Sequence, residues 1–308
     1  MSDIPQRLHH SYTSPLRFPG GKGKLANFMK LLVERNGLLD GHYVELYAGG
    51  AAIAWSLLLG EFVQHVHIND IDRSLNALWV SVLDKTDELC QLIRDTKVSM
   101  PVWHRQKNVL ANPAEHSVAQ LGFATFFLNR TNRSGIIGGG VIGGRRQTGA
   151  WKLDARFNKS DLITRIQKIA RYRNRITVYR LDAADFLRRV VPTLPMKTLI
   201  YLDPPYYVKG RGLYEHHYRH DDHAIVANIM RQLERPAWVV SYDAAPEILR
   251  LYRGFRRHKY DLAYSAQQRY RGSEVIFFGP QLRVPRVGAH PRYPQSKMPN
   301  VPTETPLS

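Results

Sequence analysis

Cysteine is nearly absent from this sequence. Cys90 is the single cysteine in 308 residues, and one thiol makes neither an internal disulfide nor a cysteine cluster for zinc or an iron–sulfur centre. We therefore expect a protein of a reducing compartment, such as the cytoplasm, without a cysteine-bound metal.

Long apolar runs are missing as well. The hydrophobic fraction of 44% is ordinary for a globular protein, but no stretch has the length that a membrane span requires. Residues 1–13 contain no apolar signal core, so we expect a flexible leader there and no secretion signal. These absences predict a soluble protein without a membrane partner.

Acidic residues are scarce relative to basic ones. The chain has 44 Lys and Arg against 26 Asp and Glu, which gives a formal net charge of +18. A field of this strength attracts polyanions. A basic amphipathic anchor helix, which would favour a lipid surface, is not evident in the sequence. The charge therefore favours nucleic acid as the partner.

Apolar strands and helices alternate along the chain, which predicts an α/β fold with a mostly parallel sheet. A long helical region is predicted from 73 to 93, and a helix capped by Ser160 precedes the third strand. The predicted strands are 42–47, 63–70, 176–182, 199–202 and 236–243, followed by an antiparallel pair at 255–265 and 274–278.

Two glycine turns lie where a ligand could approach the backbone. Gly20 and Gly21 precede Lys22 and a predicted helix, and Gly49 and Gly50 follow the first strand. Neither turn has the full spacing of a phosphate-binding or dinucleotide-binding motif, so a plain turn into a helix stays an alternative for the first one. Backbone N–H groups at such turns suit an anionic or nucleotide-like ligand.

Acids follow the second and third predicted strands. In doubly wound sheets an acid at the end of the second strand accepts hydrogen bonds from ribose hydroxyls, so Asp70, or Asp72 two residues later, is a candidate cofactor residue. Asp185 and Phe186 could hold an adenine through its amino group and its face. The alternatives are helix capping by the acids and a core position for Phe186.

The fourth strand ends abruptly at Asp203-Pro204-Pro205-Tyr206. The prolines lack N–H groups, so the backbone leaves the sheet with carbonyls that can accept hydrogen bonds. Asp203 and a carbonyl of this turn could bind both protons of one amine, while Tyr206 offers a stacking surface. The alternative is a proline turn in which Asp203 is only a cap.

Residues 100–160 interrupt the alternation of strands and helices, and we expect them to form an inserted lobe. A glycine-rich stretch at 134–147 predicts a hairpin or loop that carries Arg145, Arg146 and Gln147, side chains that can read base edges. A flexible glycine linker is the alternative. The His- and Asp-rich stretch at 214–223 matches no standard zinc spacing, and residues 281–308 predict a disordered tail.

Taken in order, these motifs resemble the Dam-like (D12 class) DNA N6-adenine methyltransferase family over about residues 14–280. The resemblance also includes polar signatures in the insert and after the fourth strand. The matching segments are Phe18 to Lys22, Glu45 to Gly50, Asn69 to Asp72, Asn129 to Thr131, Asp185-Phe186, Asp203 to Tyr206, Ser241 to Asp243 and Arg271 to Glu274.

The resemblance implies a Rossmann-like S-adenosylmethionine-dependent methyltransferase sheet with an inserted, mostly helical or hairpin target-recognition lobe. The catalytic domain would comprise residues 14–99 and 161–280, and the insert residues 100–160. The implied catalytic residues are Asp203, Pro204 and Tyr206. Cofactor contacts are implied for Phe18, Lys22, Glu45, Tyr47, Gly49, Gly50, Asp70, Asp185, Phe186 and Asp203, and DNA contacts for Asn129, Arg130, Arg145 and Arg146.

The implied reaction is methylation of the N6 amine of an adenine flipped from duplex DNA, without a metal, in a prokaryotic cell or a host infected by a phage. The alternatives are an RNA adenine or a protein glutamine amide as acceptor, and an inactive DNA-binding relative. A cognate restriction enzyme and a monomeric or weakly dimeric state are further expectations. Ala51 replaces the third glycine of many relatives, and the insert differs from that of GATC enzymes, so the target sequence is not carried over.

Overall fold

The computed structural model describes residues 14–18, 22–207, 219–263 and 271–285. A sheet of seven strands has helices on both faces. The strands are β1 (Gly41–Glu45), β2 (Val63–Asn69), β3 (Ile176–Tyr179), β4 (Thr198–Leu202), β5 (Ala237–Asp243), β6 (Arg256–Ala263) and β7 (Arg271–Phe278). The helices are α1 (Ala26–Arg35), α2 (Ala52–Leu58), α3 (Arg73–Asp84), α4 (Thr86–Asp95), α5 (Met100–Ala111), α6 (Val118–Thr131), α7 (Lys159–Ala170), α8 (Ala183–Arg189), α9 (His220–Gln232) and α10 (Pro246–Leu251).

The strand order is β3-β2-β1-β4-β5-β7-β6. The first five strands in this order are parallel, while β7 is antiparallel to both of its neighbours. This arrangement confirms the predicted Rossmann-like α/β fold. The strand order reverses between β1 and β4, and ligands of open α/β sheets bind at such a reversal, outside the carboxyl ends of the strands.

β4 is buried along its whole length, as expected for a central strand that is covered on both faces. Its side chains alternate between two apolar layers. Leu199 and Tyr201 face the layer that contains α1, α2, α3 and α7, whereas Ile200 and Leu202 face the layer with α8, α9 and α10. The alternation holds β4 in one register and so fixes where its last residue meets the turn beyond it.

The segment predicted as an insert is built on the same core as the sheet. Ser117 begins α6 with a capping box, and almost every side chain of this helix is buried. Phe126 and Phe127 belong to the main apolar cluster together with Phe157. The glycine-rich stretch after α6 forms turns with a single antiparallel bridge between Asn132 and Val141, which is less regular than the predicted hairpin.

Several element boundaries differ from the sequence prediction; β1 ends at Glu45 rather than at 47, and β7 begins at Arg271 rather than at 274. The region 73–93 is two helices, because the chain leaves helical geometry at Lys85. The N-cap of α7 is Asn158, whose side chain accepts from the N–H of Asp161, so the prediction of Ser160 as the cap is wrong. β3 ends at Tyr179 rather than at 182, because the next residues already turn toward α8.

The packed part of the chain extends beyond residue 280. Leu282 is buried in the main core, and the side chain of Asn36 exchanges hydrogen bonds with the main chain of Arg283. The tail therefore does not begin at 281. The predicted leader at 1–13, Pro19-Gly20-Gly21 and residues 286–308 lie outside the described residues. In the described part of the chain, no helix has the length and apolarity needed to cross a membrane.

Candidate active site

The acid that follows β4 is held by two side chains from different parts of the fold. Oδ1 of Asp203 lies 3.1 Å from Nζ of Lys22 and accepts a 2.6 Å hydrogen bond from Oγ of Ser241. Both of these partners, the ones that Asp203 has among the described residues, contact the same carboxylate oxygen, Oδ1. The side chain keeps 26% of its surface exposed. The second oxygen, Oδ2, is therefore available to a substrate.

Lys22 is a buried cation between two carboxylates. Its Nζ lies 2.8 Å from Oε2 of Glu274, in addition to its contact with Asp203. Burial opposes the charged ammonium, but the two carboxylates outweigh burial and raise the pKa of Lys22. Lys22 is therefore positively charged at neutral pH.

Tyr206 belongs to the same polar network. Its hydroxyl donates a 2.8 Å hydrogen bond to Oε1 of Glu274, and Nζ of Lys22 lies 5.4 Å from the centre of its ring. Glu274 is only 1% exposed. One buried carboxylate thus contacts both the cation beside Asp203 and the aromatic ring of the turn.

The carboxyl end of β5 anchors the proline turn. Ser241 donates to Asp203 and shares a 2.8 Å hydrogen bond with the hydroxyl of Tyr201. Two residues later, Oδ1 of Asp243 accepts the main-chain N–H of Tyr207 at 2.9 Å. Side chains at alternate positions of a strand lie on the same face, so this spacing places both polar groups against the turn.

Desolvation raises the pKa of Asp203. The positive charge of Lys22 and the hydrogen bond from Ser241 act in the opposite direction, while the negative charge of Glu274 raises the pKa further. A carboxylate with this balance is a better proton acceptor than an exposed aspartate. The site can therefore accept hydrogen bonds from an amine that loses a proton.

The turn after β1 has a left-handed backbone at two positions. Gly49 has φ 45° and Ala51 has φ 47°, and the N–H of Gly49 donates to Oδ2 of Asp70 at 2.9 Å. The ring of Phe18 covers this turn, because a Cβ added at Gly49 or Gly50 would lie 3.4 or 3.2 Å from it. The glycine turn after β1 is thus a compact corner. It lies beside the end of β4, because β1 and β4 are neighbours in the sheet.

Two acids at the carboxyl ends of β1 and β2 provide acceptors beside this corner. Glu45 accepts the N–H of Ala54, and burial raises its pKa to about 8. Asp70 accepts N–H groups from Gly49 and Asp72, and burial raises its pKa to about 7. Acceptors of this kind suit a ligand with hydroxyl and ammonium donors, which S-adenosylmethionine has. The residues present therefore fit this cofactor.

Tyr47 and Asp72 have separate places near this corner. Tyr47 follows β1 and is partly exposed, so it can still contact a ligand. Asp72 caps α3 by accepting the N–H groups of Ser74 and Leu75, which confirms the capping alternative for this residue. Asp70 rather than Asp72 is thus the acid that meets the glycine turn.

The adenine clamp predicted after β3 needs a correction at Phe186. The ring is fully buried in the core and packs edge-on against Tyr179 at 5.0 Å, so it does not offer a face to an adenine. Asp182 is the N-cap of α8. Asp185 lies in the first helical turn and is exposed, so its carboxylate remains accessible to a ligand.

Comparison with known proteins gives the family of this chain. The family model described as D12 class N6 adenine-specific DNA methyltransferase matches residues 18–266. This chain belongs to that family. The cofactor of this methyltransferase is accordingly S-adenosylmethionine. The glycine turn after β1 and Asp203 after β4 lie where the strand order reverses.

Solved structures that match this chain include two methyltransferases of low sequence identity. The rRNA methyltransferase AviRa from Streptomyces viridochromogenes is 13% identical, with 90% of this chain and 95% of that chain covered and a TM-score of 0.42. A SAM-dependent methyltransferase from Agrobacterium tumefaciens is 11% identical, with 83% and 62% covered and a TM-score of 0.40. A comparison with curated protein sequences found no match.

Asn129 of the methyltransferase is a buried link and does not face solvent. Its amide accepts the N–H of Arg17 at 2.9 Å and donates to the carbonyls of Arg17 and Gly135 at 2.7 and 2.8 Å. The side chain is fully buried, so it does not present itself to DNA. It instead ties the loop after α6 to the segment that carries Phe18.

The predicted DNA-binding arginines differ in accessibility. Arg145 and Arg146 are exposed. The guanidinium of Arg130 is largely enclosed and donates to the carbonyl of Arg156 at 2.7 Å, and burial lowers its pKa to about 10. Arg130 therefore contributes positive charge close to the loop but has part of its donor capacity already used.

A basic cavity of about 350 Å³ lies between α5 and the glycine-rich loop. Its walls include Lys107, Arg133 and Arg145, together with Trp103 and main chain of the loop. The indole of Trp103 donates to Asn132 at 2.7 Å, which fixes one wall. Sequence inspection identified only Arg145 of these cations, since Lys107 and Arg133 lie outside any recognisable motif.

Two further polar residues were missed as site residues. Ser241 and Glu274 lie in segments that match the family, but sequence alone gave them no role. The signal that could have identified them is a polar side chain within a strand that is otherwise apolar. Both side chains are buried, and a buried polar group needs a partner.

Proposed function

We propose that this methyltransferase transfers a methyl group from S-adenosylmethionine to the N6 amine of an adenine flipped out of duplex DNA. The observation that carries the proposal is the contact set of Asp203, in which Lys22 and Ser241 both contact Oδ1 and the side chain stays partly exposed. A carboxylate arranged in this way can accept a proton of a planar amine. The description of the family supports adenine in DNA as the acceptor.

The cofactor would be bound at the corner between β1 and β2. Glu45, Asp70 and Asp185 would accept its hydroxyl and amino donors, while Phe18, whose ring packs on the turn at Gly49 and Gly50, would form one wall of this cleft. S-adenosylmethionine supplies a methyl group on a positively charged sulfur when it is bound. Lys22 would act next to this cleft by holding Asp203 ionised.

Asp203 and the carbonyl of Pro204 would each accept a hydrogen bond from one N–H of the adenine amine. These hydrogen bonds draw the nitrogen lone pair out of conjugation with the ring and direct it toward the methyl carbon. In the transfer the new N–C bond would form as the S–C bond of the cofactor breaks, and the bonding electrons would stay on sulfur. The nitrogen would then lose one proton, which Asp203 would accept because it already accepts a hydrogen bond from the amine. Tyr206 would stack on the flipped base.

The basic side chains beside the glycine-rich loop support a nucleic acid as the substrate, and the description of the family supports DNA. Lys107, Arg133 and Arg145 line one cavity, and Arg146 is exposed next to it. Clustered cations of this kind contact phosphates, and arginines can also read base edges in the major groove. We expect this surface to meet the DNA while the adenine enters the cleft after β4.

The test is a transfer assay with labelled S-adenosylmethionine, mixed-sequence duplex DNA and RNA of matched sequence. We expect N6-methyladenine in the DNA, and loss of transfer in Asp203→Ala by at least about 100-fold because a positioned proton acceptor is removed. Asp84→Asn, in an exposed ion pair with Arg173 on the protein surface, is the matched control and retains the wild-type rate. Transfer retained by Asp203→Ala would contradict its role.

The same assay, with a protein acceptor added and cofactor binding measured beside it, distinguishes the other candidate functions. Transfer to RNA but not to DNA would identify an RNA adenine methyltransferase, and label on protein glutamine would identify an amide acceptor. Binding to DNA without cofactor binding would identify an inactive relative. A cytoplasmic location, a cognate restriction enzyme and a monomeric or weakly dimeric state stay predictions from sequence.

A further inference from the structure

Glu274 contacts both Lys22 and Tyr206 in the candidate active site, although it is distant from both residues in the sequence. Its Oε2 pairs with Nζ of Lys22 at 2.8 Å and its Oε1 accepts the hydroxyl of Tyr206 at 2.8 Å. A carboxylate has two oxygens, and here each has a different partner. The side chain is 1% exposed, so water does not replace either contact.

The position of Glu274 follows from the antiparallel strand of the sheet. β7 pairs with β5, and Glu274 lies opposite Asp243 in their register. Asp243 in turn binds the main-chain N–H of Tyr207. The same pair of strands thus supports the proline turn from two neighbouring points, one through the main chain and one through the ring of Tyr206.

We propose that Glu274 is a positioning residue that orients the ring of Tyr206 for the incoming base and divides the charge of Lys22 between itself and Asp203. This inference rests on the proposed function. A tyrosine on a turn would otherwise rotate about its side-chain bonds, and fixing it before the base arrives removes that entropic cost from the reaction. Glu274 acts through its neighbours and does not touch the adenine.

Because Glu274 and Asp203 share the cation Lys22, removing the charge of Glu274 should shift the pKa of Asp203 in a defined direction. The groups that face Asp203 are Lys22 and Glu274, with Tyr43, Glu45 and Tyr201 from β1 and β4. The negative charge of Glu274 raises the pKa of Asp203. In Glu274→Gln the ammonium would pair with Asp203 alone, so the pKa of Asp203 falls and the acid limb of kcat/KM moves to lower pH.

The kinetic test compares Glu274→Gln with Tyr206→Phe and with the double variant. We expect kcat of Glu274→Gln to fall about 10- to 100-fold, since a hydrogen bond to a charged group is lost, while KM for the cofactor changes much less. The loss in the double variant should be smaller than the product of the single losses, because both changes break one contact. Multiplicative losses with an unmoved acid limb would overturn the proposal.

A spectroscopic test does not depend on the acceptor. In tyrosine labelled with carbon-13 at Cζ, the signal of Tyr206 is assigned from its loss in Tyr206→Phe, and we expect it to move in Glu274→Gln. Glu61→Gln, which changes an exposed glutamate paired with Arg175, is the control and leaves it in place. An unmoved signal refutes the role of Glu274, whereas a moved signal without DNA methylation refutes only the proposed acceptor.

Loss of folding in Glu274→Gln would not block the test. Tyr206 is partly exposed, so Tyr206→Phe removes the hydroxyl with little effect on the fold. That variant alone should lose about tenfold in kcat by the same hydrogen-bond argument, and an unchanged kcat would contradict the proposal.

Discussion

The ammonium of Lys22 lies 3.1 Å from Oδ1 of Asp203, and this contact joins the segment before α1 to the turn after β4. The lysine is 7% exposed, so the interaction is poorly screened by solvent. A family motif usually considered for cofactor binding is thereby in direct contact with the proposed catalytic acid. Ionisation of Asp203 therefore depends on a residue at the other end of the catalytic core.

Replacing Lys22 by Met should nearly abolish methyl transfer at neutral pH. Asp203 and Glu274 would then share a buried site without a cation, so the pKa of Asp203 rises further and less of it is ionised. We expect the acid limb of kcat/KM to move to higher pH, opposite to the shift in Glu274→Gln. The pH–rate profile is the measurement.

The control for this change is Lys30→Met. Lys30 lies on α1 and its Nζ is 5.1 Å from the ring centre of Phe62, away from the carboxylates of the site. It should keep the wild-type pH profile. An acid limb that is unchanged in Lys22→Met would contradict the electrostatic role of Lys22.

Replacing Ser241 by Ala should lower kcat by about tenfold, because a hydrogen bond to a charged group contributes about 1.5–3 kcal/mol. Tyr201→Phe should have a smaller effect, since the tyrosine contacts Asp203 only through Ser241. Steady-state rates at saturating substrate provide the comparison. Equal losses in the two variants would show that packing of the pair, rather than the contact with Asp203, controls the rate.

Replacing Ala51 by Gly should leave the stability within about 0.5 kcal/mol of the wild type, because relief of left-handed strain of about 1–2 kcal/mol is offset by the loss of a buried methyl group and by the backbone entropy of glycine. Ala51 has φ 47° and ψ 37°, a left-handed conformation that costs an alanine energy and costs glycine little. Urea unfolding measures the change. Ala52→Gly is the control at the first residue of α2 and should destabilise, because glycine is a poor helix former. Equal destabilisation by the two changes would contradict the backbone explanation.

Replacing Gly135 by Ala should destabilise the protein by about 2 kcal/mol or more, since strain and a steric clash act together. Its φ is 77°, and an added Cβ would lie 2.1 Å from the carbonyl oxygen of Arg17. Gly138→Ala in the same loop meets nothing within 4 Å and should be nearly neutral. Similar stability of the two variants in urea unfolding would contradict a close contact between the loop and the segment around Arg17.

A histidine cluster on β1 and β2 should make the fold sensitive to acid. Nδ1 of His42 lies 3.0 Å from Nε2 of His67, and His65 stacks on His42. Burial, with the neighbouring histidines, lowers the pKa of His67 to about 3. In the unfolded chain His67 binds a proton with a pKa near 6.5, whereas in the folded chain it stays neutral at this pH. The free energy of unfolding therefore decreases as pH falls below about 6.5.

The test is the free energy of unfolding at pH 7.5 and pH 5.0. Linkage assigns about 2 kcal/mol of the difference to His67 alone, and His67→Gln should remove that part. His104→Gln, at an exposed position of α5, is the control and should keep the wild-type difference. A pH dependence that His67→Gln leaves unaltered would exclude this cluster as its cause.

The turn chemistry and the mostly parallel arrangement of the strands could be predicted from the sequence. Asp70 and Asp203 each follow an apolar strand, and the carboxyl ends of parallel strands meet at one edge of a sheet, so their common location was already implied. The position of Phe186 could not be predicted in this way. An aromatic ring one residue after an acid has the same sequence pattern whether it faces a ligand or the core, and only packing against Tyr179 decided for the core.

The sequence by itself determined the α/β fold, the glycine turn after β1 and the acid-proline turn after β4, because these depend on local periodicity, on the wide backbone freedom of glycine and on the fixed φ of proline. Tertiary structure alone decided which charges meet. Lys22 and Glu274 are 252 positions apart, and their contact exists because β7 enters the sheet antiparallel beside β5. Ion pairs between such distant residues have no periodicity in sequence, since they are fixed by strand order and register.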